Sequence, residues 1–268
     1  MGTGSNILTR GHVPLLATML LFHLPARSSG TNLLRYEEPK HLAGTICSVD
    51  RKKVLFKFTR ASVRDGNTLH VSRDYTYPDG KLALKETVVY EGDRLSEYDI
   101  EDFQLGARGS ARVVPLAGEP AKSVISFQYV RDIHSSQKPK TATEPFQSNC
   151  LIGDMVGPFL FDHWSDLVKG NEVKCRYIVV DRRETIGFTF AKDSEGRRGD
   201  RNVIIVKMSP TSRIISALVD PIFFTIEKDG RHRVLEYSGR APVKIKEGSK
   251  WKDLDGVSVF DWESDAPQ

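Results

Sequence analysis

A mainly β fold, a curved antiparallel sheet or barrel with one principal α-helix, is what this sequence predicts. Three observations lead there. From about Leu42 to Arg131 apolar and polar residues alternate with period two, the signature of strands that bury one face. Asp79-Gly80 and Asp229-Gly230 sit between such runs, where glycine accepts the positive φ of a tight hairpin turn. One segment, Leu151 to Gly170, carries helical spacing instead.

The elements follow in chain order. Arg10 precedes an apolar run from Val13 to Leu24, broken by Pro25 and followed by the small residues of Ala26-Arg27-Ser28. The run is shorter than the roughly 20 residues that span a bilayer, so residues 1–28 read as a secretory signal cleaved near Ser28. Residues 29–40 then form a flexible N-terminus, 41–262 one β-rich domain, and 263–268 a tail.

Within the domain, Val54, Phe56 and Phe58 share a face, as do Leu69, Val71, Tyr75 and Tyr77. Leu82, Leu84, Val88 and Tyr90 follow the first Asp-Gly turn, and Glu91-Gly92-Asp93 reverses the chain again. Further strands are expected over Leu95–Phe103, Ser110–Val114 and Val124–Val130. The polar stretch 132–149, with Pro139 and Pro145, reads as a loop joining two halves, 41–131 and 150–262.

In the helical segment, Ile152, Val156, Phe159, Leu160 and Leu167 fall on one stripe with Trp164 on its flank; Pro158 suits a first turn and Gly170 a position just past the end. Strands resume at Val173, Cys175, Tyr177 and Val179, then at Ile186, Phe188 and Phe190, at Val203–Met208, at Ile222, Phe224 and Ile226, and at Val234–Tyr237. The echo between Asp79-Gly80-Lys81 and Asp229-Gly230-Arg231 fits either a duplicated half-sheet or two hairpins obeying one turn chemistry.

Composition narrows the function classes. Hydrophobic residues make up 39% and charged residues 28%, a globular profile. The formal charge of +4 falls near +2 once Arg10 and Arg27 leave with the signal, and cations are interspersed with carboxylates, so no nucleic-acid partner is expected. Beyond the signal no apolar run is long enough to span a membrane. Cys47, Cys150 and Cys175 leave at least one thiol unpaired; Cys150 with Cys175 is the pair to test, against three small residues buried in strands. No metal or cofactor motif occurs.

Few constellations point to chemistry. His163 falls inside the apolar stripe with Asp166 three residues on, which fits a carboxylate-oriented general base, a metal ligand with Asp162 or Asp166, or a buried histidine satisfied by one hydrogen bond. No Gly-x-Ser-x-Gly elbow occurs, Gly106-Ala107-Arg108-Gly109 reads as a turn, and Glu97, Asp99, Glu101 and Asp102, which could suggest a glycosidase pair, read as the solvent face of a strand. Trp164, Tyr177, Phe188, Phe190, Met208 and Phe224, with Phe223, are the residues that would line an apolar cavity in a curled sheet; they fit a solid core equally. Arg176 points away from Cys175 and Tyr177 and needs a carboxylate if that face is interior.

Arg73-Asp74-Tyr75-Thr76-Tyr77-Pro78-Asp79-Gly80, the helical His163-Trp164 and Asp220-Pro221-Ile222-Phe223-Phe224 together resemble uncharacterised bacterial exported β-barrel-like proteins of unknown function. The resemblance implies an envelope location and a β-rich fold, and no activity. From the export signal, the long strand series and the aligned aromatic residues, the leading expectation is a non-enzymatic periplasmic or extracellular protein that binds a lipid, another apolar ligand or an envelope component. An envelope hydrolase using His163 as general base, and a purely structural or interaction protein, are the alternatives.

Overall fold

A computed structural model describes Met1 and residues 40–262, apart from 135, 137 and 218. The expected signal, almost all of the flexible N-terminus and the tail lie outside the described residues. The alternation seen in the sequence becomes a single sheet. The first arm is β1 (His41–Cys47), β2 (Val54–Asp65), β3 (Thr68–Thr76), β4 (Leu82–Glu91), β5 (Arg94–Asp102), β6 (Ala107–Leu116), β7 (Glu119–Val130) and β8 (Lys140–Pro145). The second is β9 (Cys150–Leu151), β10 (Val173–Val179), β11 (Glu184–Arg198), β12 (Arg201–Pro210), β13 (Ile222–Glu227), β14 (Val234–Glu247) and β15 (Lys250–Asp261).

All 15 strands belong to one sheet, ordered from β8 down to β1 and then from β15 down to β9. Neighbours pair antiparallel, as short hairpin connections require; the exception is the two-residue β9, parallel to β10. The first and last strands meet mid-sheet, Thr45 opposite Val259. Gly44 makes that junction possible: a Cβ there would stand 2.2 Å from the Phe58 ring and 2.4 Å from the Val259 carbonyl oxygen. The Asp79-Gly80 turn forms as predicted, with Gly80 at φ 89° and its N–H donating to the Tyr77 carbonyl.

The sheet curls without closing into a barrel, because β8 and β9 end it unpaired to one another. Side chains bridge the seam instead. The Thr185 N–H and hydroxyl both donate to Glu144 on β8, at 2.9 and 2.7 Å. Arg176 in turn donates to the Thr185 hydroxyl at 2.7 Å and reaches the carboxylate only through it. At the same overlap Gly109 of β6 packs against Val180; an added Cβ would lie 2.5 Å from Val180 Cγ1. The edge strands are short, and β8 carries Lys140, Glu144 and Pro145, features that discourage edge-to-edge pairing.

The chain passes from β8 to β9 in four residues and then drops a helical plug into the hollow. A 3₁₀ turn, Gly153–Met155, leads into α1 (Val156–Asp162) and α2 (Trp164–Val168). Ile152, Met155, Phe159, Leu160 and Leu167 are buried with Phe190, Ile204 and Ile226 of the second arm and Tyr90, Ile125 and Phe127 of the first. Each such aromatic or large aliphatic side chain contributes about 1.5–3 kcal/mol on leaving water. A short third helix, α3 (Arg213–Ser216), follows β12.

Three expectations change. The segment Leu151–Gly170 is not one continuous helix: His163, at φ −101° and ψ 15°, breaks it, and neither α1 nor α2 has a side-chain cap. Gly153, Gly157 and Pro158 weaken helical continuity there. The polar stretch 132–149 contains β8, whose outer position leaves most of its residues wet and hides its periodicity. Gly106-Ala107-Arg108-Gly109 turns only at Gly106; the other three residues belong to β6. Of the two readings of the cysteines, the structure shows the buried one: the thiols of Cys47, Cys150 and Cys175 are free and buried in β1, β9 and β10, and Cys150 and Cys175 are not bridged.

Candidate functional site

Period two determines what faces the hollow. Arg60 continues the face of Phe56 and Phe58, Arg73 lies between Val71 and Tyr75, and Glu86 lies between Leu84 and Val88. Their side chains therefore point inward from β2, β3 and β4. Asp154 reaches them from the plug. Arg60 Nε donates to Asp154 Oδ1 at 2.7 Å, and the Tyr90 hydroxyl donates to Oδ2 at 2.8 Å. Glu86 accepts from Tyr98 at 2.6 Å and Tyr75 at 3.2 Å, with Arg73 Nη1 at 3.3 Å. Gly153 leaves room beside this cluster: a Cβ there would meet Arg73 Nη1 and the Tyr177 hydroxyl, each at 3.1 Å.

The electrostatics are self-compensating. Burial by itself raises the Asp154 carboxyl, but Arg60 and Arg73 outweigh it and hold the group below its ordinary value. Burial likewise opposes the Arg73 charge, yet Tyr75, Glu86, Asp154 and Tyr98 keep its guanidinium well above the usual value. Burial, reinforced by Glu86, pushes the Tyr75, Tyr98 and Tyr177 phenols up. Burial chiefly pushes Tyr237 up to about 12. The phenols thus stay neutral donors around two ion pairs whose charges cancel.

Beside this cluster the plug leaves a cavity of about 620 Å³. Its first-arm wall includes Phe58, Arg73, Tyr75, Glu86, Tyr98 and Ile100; its second-arm wall includes Tyr177, Ile178, Ile186, Phe188, Met208, Ile222, Phe224 and Tyr237. Of the residues expected from sequence to line a cavity, Tyr177, Phe188, Met208 and Phe224 do so. Phe190 is fully buried behind them, its ring 5.6 Å from Phe159 and 5.9 Å from Phe224. Trp164 stands outside the lining, stacked on His232 at 4.1 Å.

His163 is half-exposed, its Nδ1 3.9 Å from Asp166 Oδ2 and its ring 4.6 Å from Phe159, and it does not border the cavity. The interior cluster Arg60, Arg73, Glu86 and Asp154 was not singled out from sequence. Its signal was nonetheless present, as charges at positions of inward parity within apolar runs.

Comparisons with known proteins add little. No protein-family model and no curated protein matches the chain. A solved structure is similar. It is a crystal structure of a β-barrel-like protein of a domain of unknown function, DUF1849, from Brucella abortus. It is 8% identical, with a TM-score of 0.40, covering 83% of this chain and 97% of that one. That protein is β-barrel-like and of unknown function, as are the proteins the sequence resembles. A likeness at this level brings no ligand or activity to the chain.

Among the described residues no three His, Cys, Asp or Glu side chains converge as metal ligands, and no helix is long and apolar enough to cross a membrane. The chamber sets an apolar patch, Ile186, Phe188, Met208, Ile222 and Phe224, beside polar and charged lining that includes Arg73, Glu86, Arg240, Lys244 and Asp253.

Proposed function

We propose that the protein is a non-enzymatic, exported binding protein that takes an apolar small molecule of the lipid class into the interior chamber. The observation that carries this reading is the cavity of about 620 Å³ with an apolar patch, Ile186, Phe188, Met208, Ile222 and Phe224, on its second-arm side. That size lies within the range of roughly 300–1,000 Å³ typical of ligand pockets. An apolar occupant gains by covering Ile186, Phe188, Met208, Ile222 and Phe224. The hydroxyl of Tyr177 and the Arg73 guanidinium offer it a few orienting donors. Because the deepest charges already cancel, the chamber does not require an ionic ligand.

Two measurements test the proposal. Native mass spectrometry of gently extracted protein is expected to show a bound lipid-class mass. An uncharged fluorophore such as N-phenylnaphthylamine is expected to bind the stripped protein and to bind Ile186→Trp, whose indole fills the chamber, at least several-fold more weakly. A folded protein that takes up neither overturns the reading. Export is part of the same proposal and is supported by the run Val13–Leu24; intact mass after expression in a secreting host should show loss of residues 1–28, and a retained precursor in the cytosol overturns it.

A further inference from the structure

A second cavity, a cleft of about 690 Å³, adjoins the chamber: Leu105, Tyr129, Asp181 and Lys244 line both. Its chemistry is different. Arg131, Lys138, Lys140, Arg183 and Lys244 border it against the single carboxylate of Asp181. The fold gathers these cations from distant sequence positions: the end of β7, the start of β8, the β10–β11 turn and the later half of β14.

Many surface cations of this protein are matched. Arg112 pairs with Glu97 and Asp99, Arg240 with Asp253 and Asp255, and Lys192 and Lys228 with Glu195. In the cleft, among the described residues, Arg131, Lys138 and Lys140 make no ion pair, and Arg183 donates to the Asp181 backbone carbonyl at 3.2 Å. Arg183 also holds φ 57°, a left-handed conformation that a non-glycine residue adopts at a cost. Lys244 is paired with Asp253, so the unpaired positive charge of the rim is that of Arg131, Lys138 and Lys140, beside Asp181 where the chamber begins.

We infer that this cleft binds the anionic head group, phosphate or carboxylate, of an amphiphile whose apolar chain enters the chamber. The inference rests on the chamber reading and adds the ligand's polar end. Guanidinium and ammonium donors at a partly shielded mouth form charge-assisted hydrogen bonds to such a group, and these are the strong ones. The apolar chain supplies hydrophobic gain inside; the cations supply selectivity at the entrance.

Binding of dodecyl phosphate, dodecanol and inorganic phosphate to the stripped full-length protein separates the possibilities. Dodecyl phosphate should bind roughly tenfold or more tightly than dodecanol at low salt, the gap narrowing as salt rises. In Arg131→Glu/Lys140→Glu that preference should collapse while dodecanol affinity and the urea unfolding curve stay unchanged, since both side chains are exposed and make no ion pair. Equal binding of dodecyl phosphate and dodecanol to the wild type overturns the inference and leaves the chamber reading standing. Failure of a folded protein to bind either amphiphile overturns both. Inorganic phosphate competing as well as dodecyl phosphate marks a site for free anions and overturns the amphiphile.

Discussion

The two walls of the chamber are built from the same kind of strand and do opposite things. The first-arm wall directs Arg60, Arg73 and Glu86 inward among aromatic residues, and its charge is satisfied by Asp154 from the plug and by tyrosine hydroxyls. The second-arm wall directs Ile186, Phe188, Met208 and Phe224 inward as an apolar patch, and its charged lining residues Arg240, Lys244 and Asp253 pair within that arm. A buried ion pair is bound to a particular geometry; an apolar face tolerates many. The difference teaches which wall holds the plug through charge and which meets it through apolar packing alone.

The sharpest way to break that distinction is Asp154→Ala. Arg60 and Asp154 expose only 7% and 2% of their side chains, so the substitution strips a carboxylate from a buried guanidinium. A loss of about 3–5 kcal/mol is expected in urea unfolding, and the pair Arg60→Met/Asp154→Leu should recover most of it. A loss below about 1 kcal/mol would show that the plug is held by the apolar wall instead. The acid limb gives the same contrast. Asp154 is held below its ordinary value of 3.8, so its contribution is present above that pH and disappears as pH falls through the lower folded-state value. Asp154→Asn should lose that part of the acid-induced destabilisation, visible as a flatter dependence of the urea midpoint on pH.

Second in size is the seam where the arms overlap. Gly109→Ala places a methyl about where Val180 Cγ1 and Tyr129 Cδ2 already stand, at 2.5 and 2.9 Å from an ideal Cβ. Over-packing of this kind costs about 1–3 kcal/mol. Val180→Ala combined with it should recover part of the loss in thermal unfolding. An unchanged melting temperature for Gly109→Ala alone would mean that the arms are not in firm contact.

The legible parts of this molecule are those where one face is wet and the other dry. Val54 to Tyr90 shows strands, and both Asp-Gly turns lie where the chain reverses. What escaped notice has physical reasons. Arg60, Arg73 and Glu86 obey the inward parity, but a charge at an apolar position reads as noise until a partner is found, and Asp154 lies 94 residues from Arg60. Lys140–Pro145 is an edge strand with little to bury. Trp251-Lys252-Asp253 in β15 and the later half of β14 exchange charges across the ladder, Lys244 with Asp253, so alternation weakens there. His163 was placed by projecting an unbroken helix; the break at that residue moves it out of the stripe. The cationic cleft joins four separate segments and leaves no local pattern at all.

The smallest effect is expected on the apolar wall, and it sharpens the comparison because it is small. Met208 is buried on β12, borders the chamber and makes no polar contact there. Met208→Leu nearly conserves volume and removes only the flexible thioether, so the cost should stay below about 1.5 kcal/mol. If this wall is the ligand-facing one, its branched replacement should alter N-phenylnaphthylamine affinity while the unfolding curve barely moves. A matched substitution on the opposite wall, Tyr98→Phe, should behave the other way: it takes a hydrogen bond from buried Glu86, lowers stability, and changes probe affinity less. If Met208→Leu lowers stability as much as Tyr98→Phe and leaves uptake untouched, the division of labour between the walls is wrong.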